Sequence, residues 1–402
     1  MTAPAMRAPS TNAPARVLIG VLVYGGRDFV PRCIESAARV SAGSDAVVDT
    51  LVLDDCSPDE EFGAALAAQC ERLGVGYYRS PRNVGIPRNM NLALLESMAS
   101  RYDYVVVANS DVVFPVNLAD QLVATARTDA TIGSITPWSN DVSIYRLLND
   151  DPERNLSDPA TVDWVSSTFA AEFDTATFPI PTGVGYCLFI PTPVVRDVGL
   201  FDPVFGRGYC EEVDWCLRSH ARGYRSVLAP GTFVYHMGSA STREAGVLQE
   251  AATTVWEHEH IVDLRYPRYR AEIDEFFASG VMGATRVRGS RRLMVQAARE
   301  LGWSLELSSL PRPGEEFESV RVVVGPDGDA PHAVAHWRGY SAVLATSDRA
   351  TVLAALEALT GRPPDVVRVL ETGTVTRAVL REAQTHAGRI EIVRSAPYPE
   401  RV

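Results

Sequence analysis

Tyr104-Val-Val-Val-Ala-Asn-Ser-Asp111 is an apolar run that ends on a carboxylate. A short β-branched run bounded by polar turn residues reads as a buried strand of a parallel sheet. In open α/β sheets the ligand sits in the crevice beyond the carboxyl ends of the strands. An acid released there can hold a metal or a phosphate-bearing ligand. Taken alone, Asn109, Ser110 and Asp111 read better as a plain turn, for which all three residue types are suited. What flanks the strand decides between the two.

Upstream, Val17–Tyr24 is strand-like, Phe29–Val40 helical, Val47–Asp54 strand-like and Glu60–Leu73 helical. A short strand at Gly76–Arg79 and a helix from Pro87 to Ser100 lead into the opening run. This βαβα rhythm implies right-handed crossovers and a mostly parallel sheet with helices on both faces. The turn Val23-Tyr24-Gly25-Gly26-Arg27-Asp28 lacks G-x-G-x-x-G, which argues against a dinucleotide site. Downstream, residues 136–180 form a loop-rich run of Pro, Trp, Asn and Asp, the composition of an acceptor-binding insertion or lid. Gly185–Ile190 then reads as a strand, Thr192–Val198 as a short helix, and Glu212–Gly223 as a helix ending at glycine. A last strand, Ser226–Leu228, leads through Pro230-Gly231 to Thr232-Phe-Val-Tyr-His236.

From about residue 285 the pattern resumes, with strands at Val320–Val324, Ser341–Ala345, Val366–Leu370 and Arg389–Val393. Helical patterns lie at Arg291–Leu301, Ala350–Leu359 and Thr376–Ala387. At 402 residues two domains are the better prior. The boundaries expected are a disordered Ala/Pro/Ser/Thr-rich tail over 1–15, a main α/β domain over 16–284, and a smaller α/β unit over 285–402.

A formal charge of −12 argues against a nucleic-acid binder or a protein held to anionic lipid by a basic face. No run reaches the eighteen or so apolar residues that cross a bilayer, so membrane contact would be peripheral. Val17–Tyr24 is followed by Gly25-Gly26-Arg27-Asp28, where a secretory signal would carry a small-residue cleavage pattern. The six cysteines show no C-x-x-C pair, as expected of a reduced, cytoplasmic protein.

Four clusters sit at or just past strand ends. Asp54-Asp55-Cys56-Ser57 could accept hydrogen bonds from a base or ribose, or form an Asx-turn and helix cap. The run from Arg82 through Asn83, Gly85, Arg88 and Asn91 opens a helix, a natural anion site, with Arg88 able to pair a diphosphate. For Asn83 and Asn91 the alternative is backbone capping. Asn109-Ser110-Asp111 is the third. The fourth joins Glu211-Glu212-Val213-Asp214 to the distant His236. Val213, Cys216, Leu217 and Ala221 would form the buried stripe, leaving the three acids off the core.

In this order the clusters resemble the family 2 glycosyltransferases of the GT-A fold, especially their rhamnosyltransferase-like bacterial members. The resemblance spans roughly residues 16 to 245. It rests on Asp54-Asp55-x-Ser57, Asn83-x-Gly85 to Asn91, Asn109-x-Asp111 and Gly183-x-Gly185. It continues through Gly199-Leu-Phe-Asp202, Glu211-Glu212-x-Asp214-x-Cys-Leu-Arg218, Gly223-Tyr224 and Tyr235-His236. An Ala/Arg/Val-rich, Lys-poor composition fits a high-GC bacterium.

The resemblance implies an inverting, metal-dependent transfer from a UDP-, dTDP- or GDP-linked sugar to a hydroxyl acceptor on a polysaccharide, glycolipid or natural product. It implies a nucleotide-sugar site of Tyr24, Asp54, Asp55, Asn83, Gly85, Arg88, Asn91, Asn109, Ser110 and Gly183. Asp111 and His236 would bind Mn²⁺ or Mg²⁺, and Glu212, with Glu211 and Asp214 beside it, would supply the base. Asn109 stands where the family's metal element has its first acid, and Glu212 where the commoner residue is Asp. The alternatives are a catalytically silent nucleotide-sugar-binding scaffold and a sugar nucleotidyltransferase. A homodimer through the C-terminal unit is a further expectation.

Overall fold

Only a strand covered on both faces and paired on both edges can use a run as aliphatic as β1 (Arg16–Val23), which is buried beyond its first residue. In the computed structural model β1 pairs in parallel with β2 on one side and β4 on the other. The structure describes residues 13–142, 145–147, 156–238, 247–307, 320–324, 332–338, 340–346, 352–369 and 390–392, some by backbone alone. Residues 1–12 of the expected tail and the expected helix Thr376–Ala387 lie outside the described residues. So do 143–144 and 148–155 of the 136–180 run. The described residues form two compact units, one running up to Leu147 and from Leu156 to Met282, the other from Gly283 onward.

The first unit follows the alternation read from the sequence. After β1 come α1 (Val30–Gly43), β2 (Val47–Asp54), α2 (Glu60–Leu73), β3 (Gly76–Arg79), α3 (Ile86–Ala99) and β4 (Tyr104–Asn109). α2 is capped by the Asp59 carboxylate, which accepts from the Phe62 N–H, and closes on left-handed Gly74. α3 lies so close over β1 that a Cβ on Gly20 would stand 2.6 Å from the Ala93 Cβ. The chain continues through β5 (Val112–Val113), α4 (Leu118–Ala126) and β6 (Ile132–Trp138).

The loop expected over 136–180 is a correction. It contains the end of β6, a 15-residue α5 (Pro159–Phe173) and β7 (Phe178–Ile180). Asp158 caps α5 through the Thr161 N–H, and Pro159 opens it. The buried face holds Val162, Val165, Ser166, Phe169 and Phe173, a helical spacing disguised by the serine. The Ser166 hydroxyl donates to the Asn117 side chain and accepts from the Phe233 N–H.

Then follow β8 (Cys187–Pro191), α6 (Thr192–Val198), α7 (Glu211–His220), β9 (Arg225–Phe233), β10 (Tyr235–His236), α8 (Val247–Arg265) and α9 (Tyr269–Ala278). The main sheet has eight strands in the order β3-β2-β1-β4-β8-β6-β9-β7. It is parallel from β3 to β4 and between β6 and β9, and antiparallel where β8 and β7 pair. The α/β class, with a large mixed sheet, is therefore the one expected.

α10 (Val281–Leu301) leads to the second sheet, built from β11 (Trp303–Leu307), β12 (Val320–Val324), β13 (His332–Trp337), β14 (Tyr340–Thr346), β15 (Val366–Val369) and β16 (Ile390–Ile392), with α11 (Val352–Thr360) between β14 and β15. Its order is β14-β13-β12-β11-β15-β16, parallel from β12 to β16 and antiparallel at the β13–β14 edge. Among the described residues no helix is long and apolar enough to cross a membrane. All six cysteines carry free thiols.

Candidate active site

The parallel register brings strand ends together: Leu22 lies beside Asn109, and Val23 beside Asp54. At this edge the chain leaves β4 through Ser110 and Asp111 and enters β5, which pairs antiparallel with β10. The Met237 N–H donates to the Asp111 carbonyl at 2.9 Å. The two-residue ribbon thus sets Asp111 and His236 side by side, with Asp111 Oδ1 3.3 Å from His236 Nε2. Asn140 fixes the histidine backbone by a reciprocal pair of bonds, accepting from its N–H at 2.8 Å and donating to its carbonyl at 2.9 Å.

His236 Nδ1 stands 2.6 Å from the Asp141 carbonyl. A carbonyl only accepts, so Nδ1 carries the hydrogen and Nε2 is the nitrogen that faces the carboxylate, free to bind a proton or a cation there. Burial works to lower the imidazole pKa. The adjoining Asp111 carboxylate and the Asp141 carbonyl outweigh it, so the net shift is upward.

An acceptor nitrogen facing a carboxylate oxygen suits a divalent cation, and the amide oxygen type at Asn109 adds a weaker ligand. Among the described residues no group of three or more His, Cys, Asp or Glu could hold a metal on its own. The donor set therefore fits a cation completed by substrate oxygens and water, and does not fit a structural site.

Glu211 and Glu212 open α7 across the same pocket. The turn before them is unusual: Gly206, Gly208, Tyr209 and Cys210 all have positive φ, at 48, 125, 71 and 72°. For Tyr209 and Cys210 this costs of order 1–2 kcal/mol each, the kind of strain that surrounding structure must hold in place. Glu211 is buried, and its Oε2 has no hydrogen-bond partner among the described residues. Glu212 is half-buried, and the backbone N–H groups of Glu212 itself, Gly185 and Val213 work to lower its carboxyl pKa. Burial pushes both carboxyls up, and the charge on Glu212 raises Glu211 further, well above the ordinary range. Of the two, Glu211 is pushed further toward its neutral form.

The pocket these groups line has a volume of about 400 Å³. Its walls include Asn109, Glu211, Glu212 and His236, with Ile86 and Met90 of α3 opposite. The sequence reading did not single out Asp141, Arg146, Tyr186 and Tyr209, which also line it. Arg146 bonds Asp141 Oδ1 at 2.5 Å, and Tyr186 lies against the His236 ring with centroids 5.2 Å apart. Asp141 follows a strand end just as Asp111 does, but β6 had not been recognised as a strand.

The other sequence candidates are distributed differently. Asp54 is fully buried and saturated: Oδ1 accepts from the Ser57 N–H and hydroxyl, and Oδ2 from Tyr77 OH at 2.8 Å and Arg79 at 3.3 Å. The turn-and-cap reading describes it. Asp55 accepts from the Val84 and Gly85 N–H groups at 2.7 and 2.9 Å, tying two strand-end loops together. Burial raises its pKa against those two bonds. Asn83 forms an Asx turn on Gly85 N–H, and Asn91 makes two bonds to the Phe201 backbone, so both serve the backbone.

Arg88 is exposed and points back to the Val84 carbonyl. Tyr24 is half-buried beside Gly25, whose N–H donates to the Ser57 hydroxyl, and Ser110 is buried. Gly183 is held by packing: a Cβ there would stand 2.4 Å from Leu188.

Asp214 corrects the expected helix stripe. It is fully buried, with Oδ2 accepting from Arg218 Nε at 2.8 Å and Oδ1 from Arg265 at 2.7 Å and Tyr266 OH at 2.8 Å. Ala221 is exposed, while Trp215 and Ser219 are buried. The cause is α8 and α9, which cover the far side of α7 with Val262, Tyr266 and Tyr269. The structure keeps Asp214 out of the pocket lining.

Several solved glycosyltransferases are distantly similar. One is GalNAc-T7 with UDP, GalNAc and Mn2+, at 15% identity over 56% of this chain and 44% of that chain, with a TM-score of 0.42. The mannosyltransferase PcManGT from Pyrobaculum calidifontis, in complex with GDP-Man and Mn2+, is 15% identical over 70% of this chain and 76% of that one, TM-score 0.45. TarS of S. aureus is 13% identical over 55% and 36%, TM-score 0.39. The chain thus spans less than half the length of the first and third of these. No curated protein matches the sequence. Residues 18–198, from β1 to the end of α6, match the family model described as Glycosyl transferase family 2, a span that stops short of Glu211, Glu212 and His236.

Proposed function

We propose that the protein is an inverting glycosyltransferase that moves a sugar from a nucleoside-diphosphate donor to an acceptor hydroxyl. The observation that supports this reading is one pocket lined by Glu211, Glu212 and His236, with the buried Asp111 carboxylate 3.3 Å behind the His236 Nε2. Asp111 and His236 would hold Mn²⁺ or Mg²⁺ together with the donor's diphosphate. When bound, that cation supplies Lewis-acid neutralisation of the departing nucleoside diphosphate.

The chain's own contribution is the proton. Glu212, as the carboxylate, accepts the proton of the acceptor hydroxyl as its oxygen forms a bond to the anomeric carbon. The bond from that carbon to the diphosphate oxygen breaks with its electron pair leaving on the nucleotide. Glu211, pushed further toward its neutral form, avoids a second negative charge beside the departing group. The four apolar side chains Ile86, Met90, Val142 and Val184 limit water in the pocket.

The test is a panel of UDP-, dTDP- and GDP-sugars, with and without Mn²⁺, read by thermal shift and by release of nucleoside diphosphate. One donor should stabilise the protein, and only with metal. Asp111→Ala should remove that metal-dependent shift. Glu212→Gln should keep the shift and lose transfer by roughly 10²–10⁴-fold. Donor affinity unchanged in Asp111→Ala rules out the metal pair, and near-normal turnover in Glu212→Gln moves the base elsewhere.

A further inference from the structure

We infer that His258 is a positioning residue for the base: from α8 it holds the left-handed turn 206–210 in the shape that sets Glu212 against the pocket. The inference rests on the transferase reading and concerns how its base is kept in register.

The His258 ring is buried, with Nδ1 2.8 Å from the Gly208 carbonyl. Because that oxygen only accepts, Nδ1 carries the hydrogen and the tautomer is fixed. The ring also stands edge-on to Phe205, with centroids 5.4 Å apart. Gly208 sits at the centre of the strained turn, with φ 125° and Tyr209 and Cys210 following at positive φ before Glu211 and Glu212. The turn's other face is pressed on α3. A Cβ on Gly208 would stand 2.6 Å from Ile86 Cδ1, and one on Gly85 would stand 2.1 Å from the Gly206 carbonyl oxygen.

Strained turns of this kind persist only where neighbours over-determine them. On the α8 side, His258 donates a hydrogen bond to the turn itself. Seven residues further along α8, Arg265 bonds Asp202 at 2.9 Å and Asp214 at 2.7 Å. α8 therefore grips the segment before the turn, the turn and the helix after it, and His258 supplies the middle grip. Its two contacts, Gly208 and Phe205, lie outside the pocket lining, so its effect on chemistry passes through the backbone of 208–212.

The experiment compares wild type, His258→Ala and His258→Asn as full-length proteins. Asparagine places its side-chain N–H where Nδ1–H stood and can restore the bond to Gly208. The readouts are hydrogen–deuterium exchange of the 206–212 amides, which needs no activity, together with kcat, donor KM and Tm. In His258→Ala, exchange of 206–212 should rise by about tenfold or more. Its kcat should fall by roughly 10–100-fold, with donor KM unchanged. The asparagine variant should recover most of both. Exchange unchanged in His258→Ala, or a rise without loss of kcat in the folded variant, overturns the role of His258. Failure of asparagine to restore either readout overturns it as well. A wild-type protein that transfers no sugar fails the transferase reading instead.

Discussion

Asp214 was a candidate base in the sequence and is a buried clasp in the structure, and Asp214→Asn separates the two roles. Its carboxylate is wholly inaccessible and receives three charged or hydroxyl donors at 2.7–2.8 Å. Removing one partner of a fully buried ion pair costs about 3–5 kcal/mol. Here the figure must be discounted, because the Arg218 and Arg265 side chains are 30% and 37% exposed. Both also keep other acceptors: Arg218 the Val198 and Leu200 carbonyls, and Arg265 the Asp202 carboxylate.

Partial solvation of this kind reduces the loss to about 2–3 kcal/mol. For a unit of this size that corresponds to a fall in Tm of roughly 4–12 °C. Scanning calorimetry at pH 7 measures it, alongside turnover per folded molecule under conditions where the variant is native. The clasp predicts a lowered Tm with turnover within a few-fold of wild type. A Tm within about 2 °C of wild type together with abolished turnover would refute the structural account and return Asp214 to the reaction.

Two further outcomes follow from the same geometry. Glu211 has its pKa raised from 4.5, so in the folded state it holds a proton that the unfolded chain has released. Its contribution to stability is complete below 4.5 and is lost as pH rises through the raised value. Glu211→Gln should therefore gain on wild type in Tm as pH is raised from 5 toward 8, and the absence of any pH-dependent difference falsifies the upward shift of Glu211. At Gly85, with φ 83° and a Cβ that would stand 2.1 Å from the Gly206 carbonyl oxygen, alanine carries both strain and collision. Gly85→Ala should lower Tm by about 5 °C or more, and an unchanged melting curve would show that the 206–210 turn can move away freely.

The alternation of the first 110 residues was legible because each element there is short, uniform and separately bounded. β2, α2 and β3 fall where the apolar spacing puts them. The strand-end rule also found Asp111, since a buried strand must leave the sheet somewhere and its exit is marked by a change to polar residues. α5 was missed because Ser166 sits on its buried face, satisfied by Asn117 and the Phe233 backbone, which no periodicity in hydrophobicity can register.

Asp214 was misread for a related reason. An acid is assigned to the solvent face unless its partners are known, and Arg265 and Tyr266 lie about fifty residues later, at and just past the end of a helix the sequence reading did not assign. Asp54 and Asp55 were correctly located at a strand end. Which oxygen of each is already occupied depends on Tyr77, Arg79 and the 84–85 backbone, and only coordinates supply that.

The ribbon of β5 and β10 is only two residues on each side, yet it joins positions 112 and 236. During synthesis the Asp111 side of the pocket leaves the ribosome long before the His236 side exists. The four groups at issue come from three separated stretches of chain, and the last lies beyond β9, the strand that sits between β6 and β7. No chain that stops short of β10 can present Asp111, Glu212 and His236 together. An unfinished or clipped chain lacking β10 would retain most of the sheet but never the full set of groups, so competence for donor would report that the whole unit has been completed.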